Sequence, residues 1–178
     1  MKIKISGVVN DSIVDGPGIR FTIFTQGCYH KCEGCHNPQT HDPNAGKLVD
    51  TDELLETIKN NPLLDGVTFS GGEPFLQAGV LGDLGIKIKD ACPTLNIMTY
   101  TGYTFEELMD IINKNPMSLD YIKLLTISDY VVDGRFDINK KSLDCKFRGS
   151  TNQRILYGKK SFEKKEPIIC TEFNNEEK

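Results

Sequence analysis

Ile19–Cys35, IRFTIFTQGCYHKCEGC, runs a strand straight into a cluster of thiols. β-Branched and aromatic residues dominate Ile19–Gln26, the composition of a pleated, half-buried strand. Gly27 ends it, and Cys28, Cys32 and Cys35 follow with the spacing Cys-x3-Cys-x2-Cys. Three soft thiolates on one tight loop suit iron–sulfur or zinc. A four-iron cubane held by three cysteines keeps one iron without a protein ligand. That iron is free to bind a substrate through nitrogen and oxygen, as the vacant position of a catalytic zinc does.

Other chemistries fit the spacing less well. A structural zinc would take His30 or His36 as fourth ligand, yet such sites usually draw on two separated ligand pairs. Here every candidate falls between Cys28 and His36, and no second Cys-x2-Cys exists. An electron-transfer ferredoxin usually takes four cysteines per cluster. A thiol reductase would use Cys32 and Cys35 and leave Cys28 without a role. The remaining cysteines, Cys92, Cys145 and Cys170, stand singly. Cys92 and Cys145 read as small buried hydrophobes.

Outward from the thiols, strand and helix signals alternate. Asp50 with Glu53 resembles a helix cap before Thr51–Asn60. Gly66–Ser70 is a short strand that ends at Gly71-Gly72. Leu76–Ala91 is helical in pattern, though Gly79, Gly82 and Gly85 weaken it. Leu95–Tyr100 is a strand, Thr104 with Glu107 opens a helix to about Lys114, and Asp129–Asp133 is a further strand. This order predicts an α/β fold with a mostly parallel sheet and right-handed crossovers. Loops of unusual composition follow three strands: Gly27–Pro38, Gly71–Phe75 and Thr101–Tyr103. Sites collect at the carboxyl ends of such strands. A full eight-unit barrel takes ~250 residues, so 178 residues predict a partial, open (β/α) barrel. The domain is expected over residues 1–157. Residues 158–178, rich in lysine and glutamate, are expected as a charged, mobile tail, with Pro167–Cys170 docking locally.

Bulk properties narrow the class. With 38% hydrophobic and 26% charged residues the chain is soluble and globular, with one core. A net charge of −4 argues against a nucleic-acid groove. No apolar run approaches the ~20 residues that span a bilayer, and Met1–Ser12 lacks the pattern of a signal peptide. The expectation is a cytoplasmic protein with reduced cysteines and one metal site, with no membrane association.

The cysteine motif at the end of its strand resembles that of the radical S-adenosylmethionine (SAM) superfamily. The resemblance implies a [4Fe–4S] cluster on Cys28, Cys32 and Cys35 whose open iron is chelated by the amino and carboxylate groups of SAM. Electron transfer then splits the S–C5′ bond into methionine and a 5′-deoxyadenosyl radical. The superfamily often carries an aromatic residue before the third cysteine; here that position is Gly34. The resemblance then leaves the adenine to backbone groups of Gly34, Cys35 and His36, with Tyr29 and His30 nearby. Ser70-Gly71-Gly72-Glu73-Pro74 resembles the segment that contacts the methionine end of SAM. Glycines admit a ligand closely, and a Glu73 carboxylate can accept from the SAM ammonium.

Further motifs resemble one branch. Asp15-Gly16-Pro17-Gly18-Ile19-Arg20 and His36-Asn37-Pro38 are similar to glycyl-radical-enzyme activases. Thr99–Tyr103, Val132–Phe136 and Arg148-Gly149-Ser150-Thr151-Asn152-Gln153 resemble the activating proteins of anaerobic ribonucleotide reductase. That likeness implies hydrogen abstraction from a glycine of the reductase as protein partner. It also implies a small electron donor such as flavodoxin or ferredoxin. Arg135 and Arg148 become candidates for docking the partner or the SAM carboxylate, beside plain surface or structural roles. Another glycyl-radical activase, or a small tailoring enzyme of the same superfamily, is the alternative.

Overall fold

The computed structural model describes residues 1–115 and 118–174. Among them lie seven strands: β1 (Lys2–Ser12), β2 (Arg20–Thr25), β3 (Lys47–Asp50), β4 (Gly66–Gly71), β5 (Asn96–Tyr100), β6 (Tyr130–Asp133) and β7 (Arg154–Tyr157). The helices are α1 (Thr51–Lys59), α2 (Ala78–Ala91), α3 (Phe105–Lys114), α4 (Leu119–Ile127), α5 (Gly158–Lys164) and α6 (Thr171–Asn174). Each expected element forms within a residue or two of its bounds. Asp50 caps α1 by accepting from the Asp52 N–H at 3.0 Å. Thr104 and Glu107 form a full capping box on α3, at 3.2 and 2.9 Å.

The strands make one sheet in the order β3-β1-β2-β4-β5-β6-β7. Its centre, β2-β4-β5-β6, is parallel. The edges are antiparallel: β1 against β2 and β3, and β7 against β6. The sheet is therefore mixed rather than mostly parallel. Antiparallel neighbours need only a short connection, and residues 13–19 supply one between β1 and β2.

From β2 to β6 each crossover moves one strand over, always in the same direction. Right-handed connections then place the crossover helices on one face. One core forms there: Phe21, Ile23, Val67, Phe69, Ile97 and Val131 meet Leu54, Ile58, Leu81, Leu84, Ile88 and Leu124. The glycines of α2 explain themselves in this layer. A Cβ on Gly79, Gly82 or Gly85 would stand 2.7, 2.8 or 3.0 Å from Asp120, Lys123 or Ile127 of α4. Their spacing of three puts them on one stripe, which lets α2 and α4 pack closely.

The opposite sheet face holds a smaller cluster of Met98, Val132, Ile155 and Cys170. Of residues 158–174, expected as a charged tail, Cys170 and Phe173 join this cluster while Phe162 of α5 packs on the main core. Ile169 bridges to Leu156, and Cys170 is buried. The Phe173 ring lies 5.4 Å from Tyr130 and 5.6 Å from Phe147. The few apolar residues of this segment do the docking, and its lysines face water.

Arg20 fixes the Asp15–Gly18 turn beneath this face. Fully buried, it donates to Thr68 Oγ1 at 2.6 Å, Pro17 O and Asn96 Oδ1 at 2.8 Å, and Val67 O at 2.9 Å. Burial pulls its pKa down to about 10. No helix among the described residues is long and apolar enough to cross a membrane.

Candidate metal centre

The three clustered thiols open into one cavity of about 560 Å³ at the carboxyl ends of β2, β4 and β5. Cys28 is buried, and Cys32 and Cys35 are half-buried; all are free thiols. Burial raises the pKa of Cys28 and Cys32. The loop that carries them is tied at its root, where Gly27 and Cys28 N–H donate to Thr40 and His41 carbonyls at 2.7 and 3.1 Å. Cys35 N–H closes a turn on Cys32 O at 3.2 Å, and the Asn37 N–H points at the Cys35 sulfur at 3.4 Å.

Ser70, Gly71 and Gly72 form another part of the wall. Any side chain at 72 would strike Gly27 O, 2.3 Å from the Cβ position. At Gly71, with φ +94°, it would meet the β2 backbone at 2.6 Å. Both glycines are needed for this turn to lie flat against the cysteine loop.

Glu73 departs from its expected place. The motif suggests a carboxylate facing a ligand ammonium, but the fold turns it inward. It is 1% exposed, and its two oxygens meet four partners. Oε1 accepts from Phe75 N–H at 3.0 Å and Thr101 Oγ1 at 2.9 Å. Oε2 accepts from Gly102 N–H at 2.8 Å and pairs with His30 Nε2 at 2.7 Å. A carboxylate offers about four acceptor positions, so none is left for a ligand.

Gly34 sits at φ +71°, a conformation that favours glycine, and a Cβ there would stand 2.8 Å from Ile138. Any side chain here is strained by the positive φ and must displace the end of Ile138. Phe136 supplies a ring instead: it lies 5.0 Å from the His36 ring and lines the cavity. Tyr29 points outward, 67% exposed. His30 lines the cavity on one side while it pairs with Glu73 on the other.

The arginines divide. Arg135 pairs with Glu107 at 3.0 Å, half-exposed. Arg148 lines the cavity; its Nη1 donates to Gln153 O at 3.0 Å, and its buried Nε has no partner. Gln153 organises this wall. Its Oε1 accepts from Gly149 and Ser150 N–H at 2.9 and 3.2 Å, and its Nε2 donates to Gly134 O at 2.9 Å. The Val132–Phe136 and Arg148–Gln153 motifs are thus one stapled unit.

Sequence reasoning passed over Phe136, Tyr100 and Cys145 as cavity residues. Phe136 and Tyr100 lie inside motifs already singled out, and the missing aromatic at Gly34 was a signal to look for another. Nothing marks Cys145 in the sequence; it is buried and lines the same cavity.

The residues present fit an iron–sulfur cluster. The donor set is three soft thiols on one loop that open into one cavity, and Arg148 lines the same cavity. Among the described residues no three His, Cys, Asp or Glu side chains converge tightly enough to hold a single ion.

Comparison with known proteins agrees. Residues 14–156 match the family model described as a 4Fe-4S single cluster domain. An anaerobic ribonucleoside-triphosphate reductase-activating protein of Vibrio cholerae is 34% identical over 149 residues, covering 80% of this chain and 90% of that protein. Proteins of the same name from Escherichia coli K12 and Enterobacteria phage T4 are 32% identical, covering 80% of this chain and 91% and 86% of theirs. With the thiol loop and its cavity in place, this chain belongs to the family of anaerobic ribonucleoside-triphosphate reductase-activating proteins, built on a 4Fe-4S single cluster domain.

Proposed function

We propose that the chain holds one [4Fe–4S] cluster on Cys28, Cys32 and Cys35 and cleaves SAM reductively to place a glycyl radical on an anaerobic ribonucleotide reductase. The observation that carries this is the single cavity shared by the three thiols and the Ser70-Gly71-Gly72 wall. When bound, the cluster supplies one electron that breaks the S–C5′ bond of SAM, giving methionine and a 5′-deoxyadenosyl radical. The glycine Cα of the partner loses a hydrogen atom to that radical, so 5′-deoxyadenosine and a glycyl radical remain.

The chain's own residues bind and orient. Ser70, Gly71 and Gly72 admit the methionine end to backbone groups. Arg148, which lines the same cavity, offers its guanidinium to the carboxylate. Backbone groups of Gly34, Cys35 and His36 meet the adenine, with the Phe136 ring beside them. The one-directional walk of the central strands, with helices on one face, supports an open (β/α) part-barrel of the radical SAM type. Its mouth is apolar: Val14 and Leu143 line the cavity and are 73% and 94% exposed. Such a rim suits a protein loop as substrate. A flavodoxin- or ferredoxin-like donor supplies the electron in a reducing cytoplasm.

The test uses anaerobically reconstituted protein with dithionite and SAM, with and without an anaerobic ribonucleotide reductase. Deoxyadenosine by chromatography and a glycyl-radical EPR doublet on the reductase are expected. Deoxyadenosine without the doublet would keep the SAM chemistry and change the partner. Zinc in place of iron and sulfide, with no deoxyadenosine, would overturn the proposal.

A further inference from the structure

Three loops follow the three strand ends that build the cavity, and one carboxylate joins them. Glu73 belongs to the loop after β4. Through Thr101 Oγ1 and Gly102 N–H it holds the loop after β5. Through His30 Nε2 it holds the cysteine loop after β2, midway between Cys28 and Cys32. The backbone repeats the tie, with Glu73 N–H on Gly27 O at 2.8 Å and Gly72 N–H on Thr25 O at 2.8 Å. The His30 side chain is 9% exposed and stands edge-on to Tyr103, ring centroids 4.6 Å apart. Gly102 leaves it room: a Cβ there would come within 2.3 Å of His30 Cδ2. The imidazole is thus boxed by a ring, a bare backbone and a carboxylate.

An ionised carboxylate only accepts. The 2.7 Å contact therefore places a proton on His30 Nε2. Each oxygen of Glu73 meets one backbone N–H and one side-chain group, so neither is spare. A glutamine at 73 has a single accepting oxygen. Its NH2 would have to face either the Phe75 N–H or the Gly102 N–H, donor against donor.

We propose that Glu73 is a positioning residue that acts through His30, holding the cysteine loop at a fixed offset from the Ser70–Gly72 wall. The cavity needs that offset, because one wall carries the thiols and the other admits the ligand. The proposal rests on the reading that Cys28, Cys32 and Cys35 hold the cluster. It concerns only how their loop is aimed, and Glu73 itself makes no ligand contact.

The test compares reconstituted full-length wild type with His30→Phe, His30→Gln, Gly102→Ala and Glu73→Gln. Iron and acid-labile sulfide, melting temperature, SAM dissociation constant and the EPR change of the reduced cluster on adding SAM are measured. His30→Phe keeps a ring but drops the hydrogen bond. Gly102→Ala keeps the Gly102 N–H on Glu73 and pushes on the His30 ring, whose Cδ2 lies 2.3 Å from the added Cβ. Both are expected to keep wild-type iron and sulfide while SAM binds at least ~10-fold more weakly, the loss of about one well-aligned hydrogen bond to a charged ligand. The EPR change on SAM should shrink in step. His30→Gln keeps a donor for Glu73 and should stay within about threefold of wild type. Glu73→Gln should resemble His30→Phe where it folds, and the other variants carry the test where it does not.

A purely structural strut would lower the melting temperature and leave the SAM constant of the loaded protein unchanged; that result overturns the proposal. Loss of iron in His30→Phe and Gly102→Ala to the level of a cysteine variant overturns it too. Wild type without cluster or SAM binding defeats the underlying reading instead, which keeps the two failures apart.

Discussion

Replacing Arg154 by alanine isolates the interaction that holds β7 on β6. Asp133 and Arg154 are cross-strand partners. Arg154 Nε donates to Asp133 Oδ1 at 3.0 Å, and Nη2 donates to Asp133 Oδ2. On its other side the guanidinium meets Glu106 at 3.1 and 2.8 Å. The two carboxylates differ in one respect that decides the outcome: the Asp133 side chain is 1% exposed and that of Glu106 is 58%. Without Arg154, Asp133 keeps the Phe105 N–H at 2.8 Å and little else. An uncompensated buried charge costs about 3–5 kcal/mol, whereas an exposed pair contributes below ~1 kcal/mol. Arg154→Ala is therefore expected to cost about 3–5 kcal/mol, and Glu106→Ala less than about 1. Asp133→Asn should fall between, at roughly 1–2 kcal/mol, because Arg154 keeps Glu106 and reaches water. Adding Asp133→Asn to Arg154→Ala should recover stability, since the stranded charge is gone. Urea unfolding at pH 7 with unchanged m-values gives these numbers. Equal costs for Arg154→Ala and Glu106→Ala, or an Arg154→Ala cost under about 1 kcal/mol, would refute the reasoning.

The hydrogen bond from Arg154 also holds the Glu106 carboxyl below its ordinary value. A depressed folded pKa means stability present above pH 4.5 and lost as pH falls through the folded value. Glu106→Gln should flatten that acid limb in urea titrations. Cys28→Ala, Cys32→Ala and Cys35→Ala should each abolish deoxyadenosine formation, while Cys92→Ala, at the end of α2 and outside the cavity, should not; equal loss at Cys92 would sink the ligand assignment. Arg148→Ala should weaken SAM binding by ~10-fold or more, the worth of a hydrogen bond to a charged group, and Arg135→Ala should leave it unchanged, as isothermal titration can check. Gly85→Val should lower stability by about 1–3 kcal/mol through overpacking, because the added carbons meet the β-branched Ile127 at 3.0 Å or closer; denaturant midpoints measure it.

What was legible in the sequence was local. β2, β4, β5 and β6 are short apolar runs bounded by glycine or by caps, and period and punctuation reveal such segments. β1 was missed although KIKISGVVNDS alternates at its start, since the alternation breaks at Gly7 and residues 8–11 are exposed whether apolar or polar. β7 was missed because RILY is only four residues long, and α5 because lysine and glutamate dominate the composition after Tyr157. Ile155 and Tyr157 of β7 find partners only once β6 presents Tyr130 and Val132, and Phe162 of α5 only once the main core has formed. The stripe of Gly79, Gly82 and Gly85 weakens α2 as an isolated helix, yet it is what the α2–α4 contact requires. Tertiary packing overrides propensity there. At the site, the spacing of the three cysteines marks their loop. The Phe136 ring beside Gly34 is set by the position of a loop a hundred residues later, which no local pattern encodes.

In the Gly-Gly-Glu-Pro turn, the place of the motif and the division of labour within it are separate questions. From sequence, a carboxylate beside a ligand cavity is the natural group to meet an ammonium, and glycines are only permissive. The donor count reverses this. Four donors converge on Glu73, so a fifth would have to displace a backbone N–H or His30 from a buried charge. Removing such a partner costs more than an exposed ammonium gains. The glycines are then what a ligand can approach, since Gly71 and Gly72 line the cavity and Glu73 does not. A shorter acid makes the division testable on the chain itself. Glu73→Asp keeps the charge but draws it back by one methylene, too far to reach His30 and Gly102 on one side and Thr101 on the other. If the carboxylate served the ligand, a shorter acid near the cavity could still do so. If it serves the loops, Glu73→Asp should behave like the loss of His30.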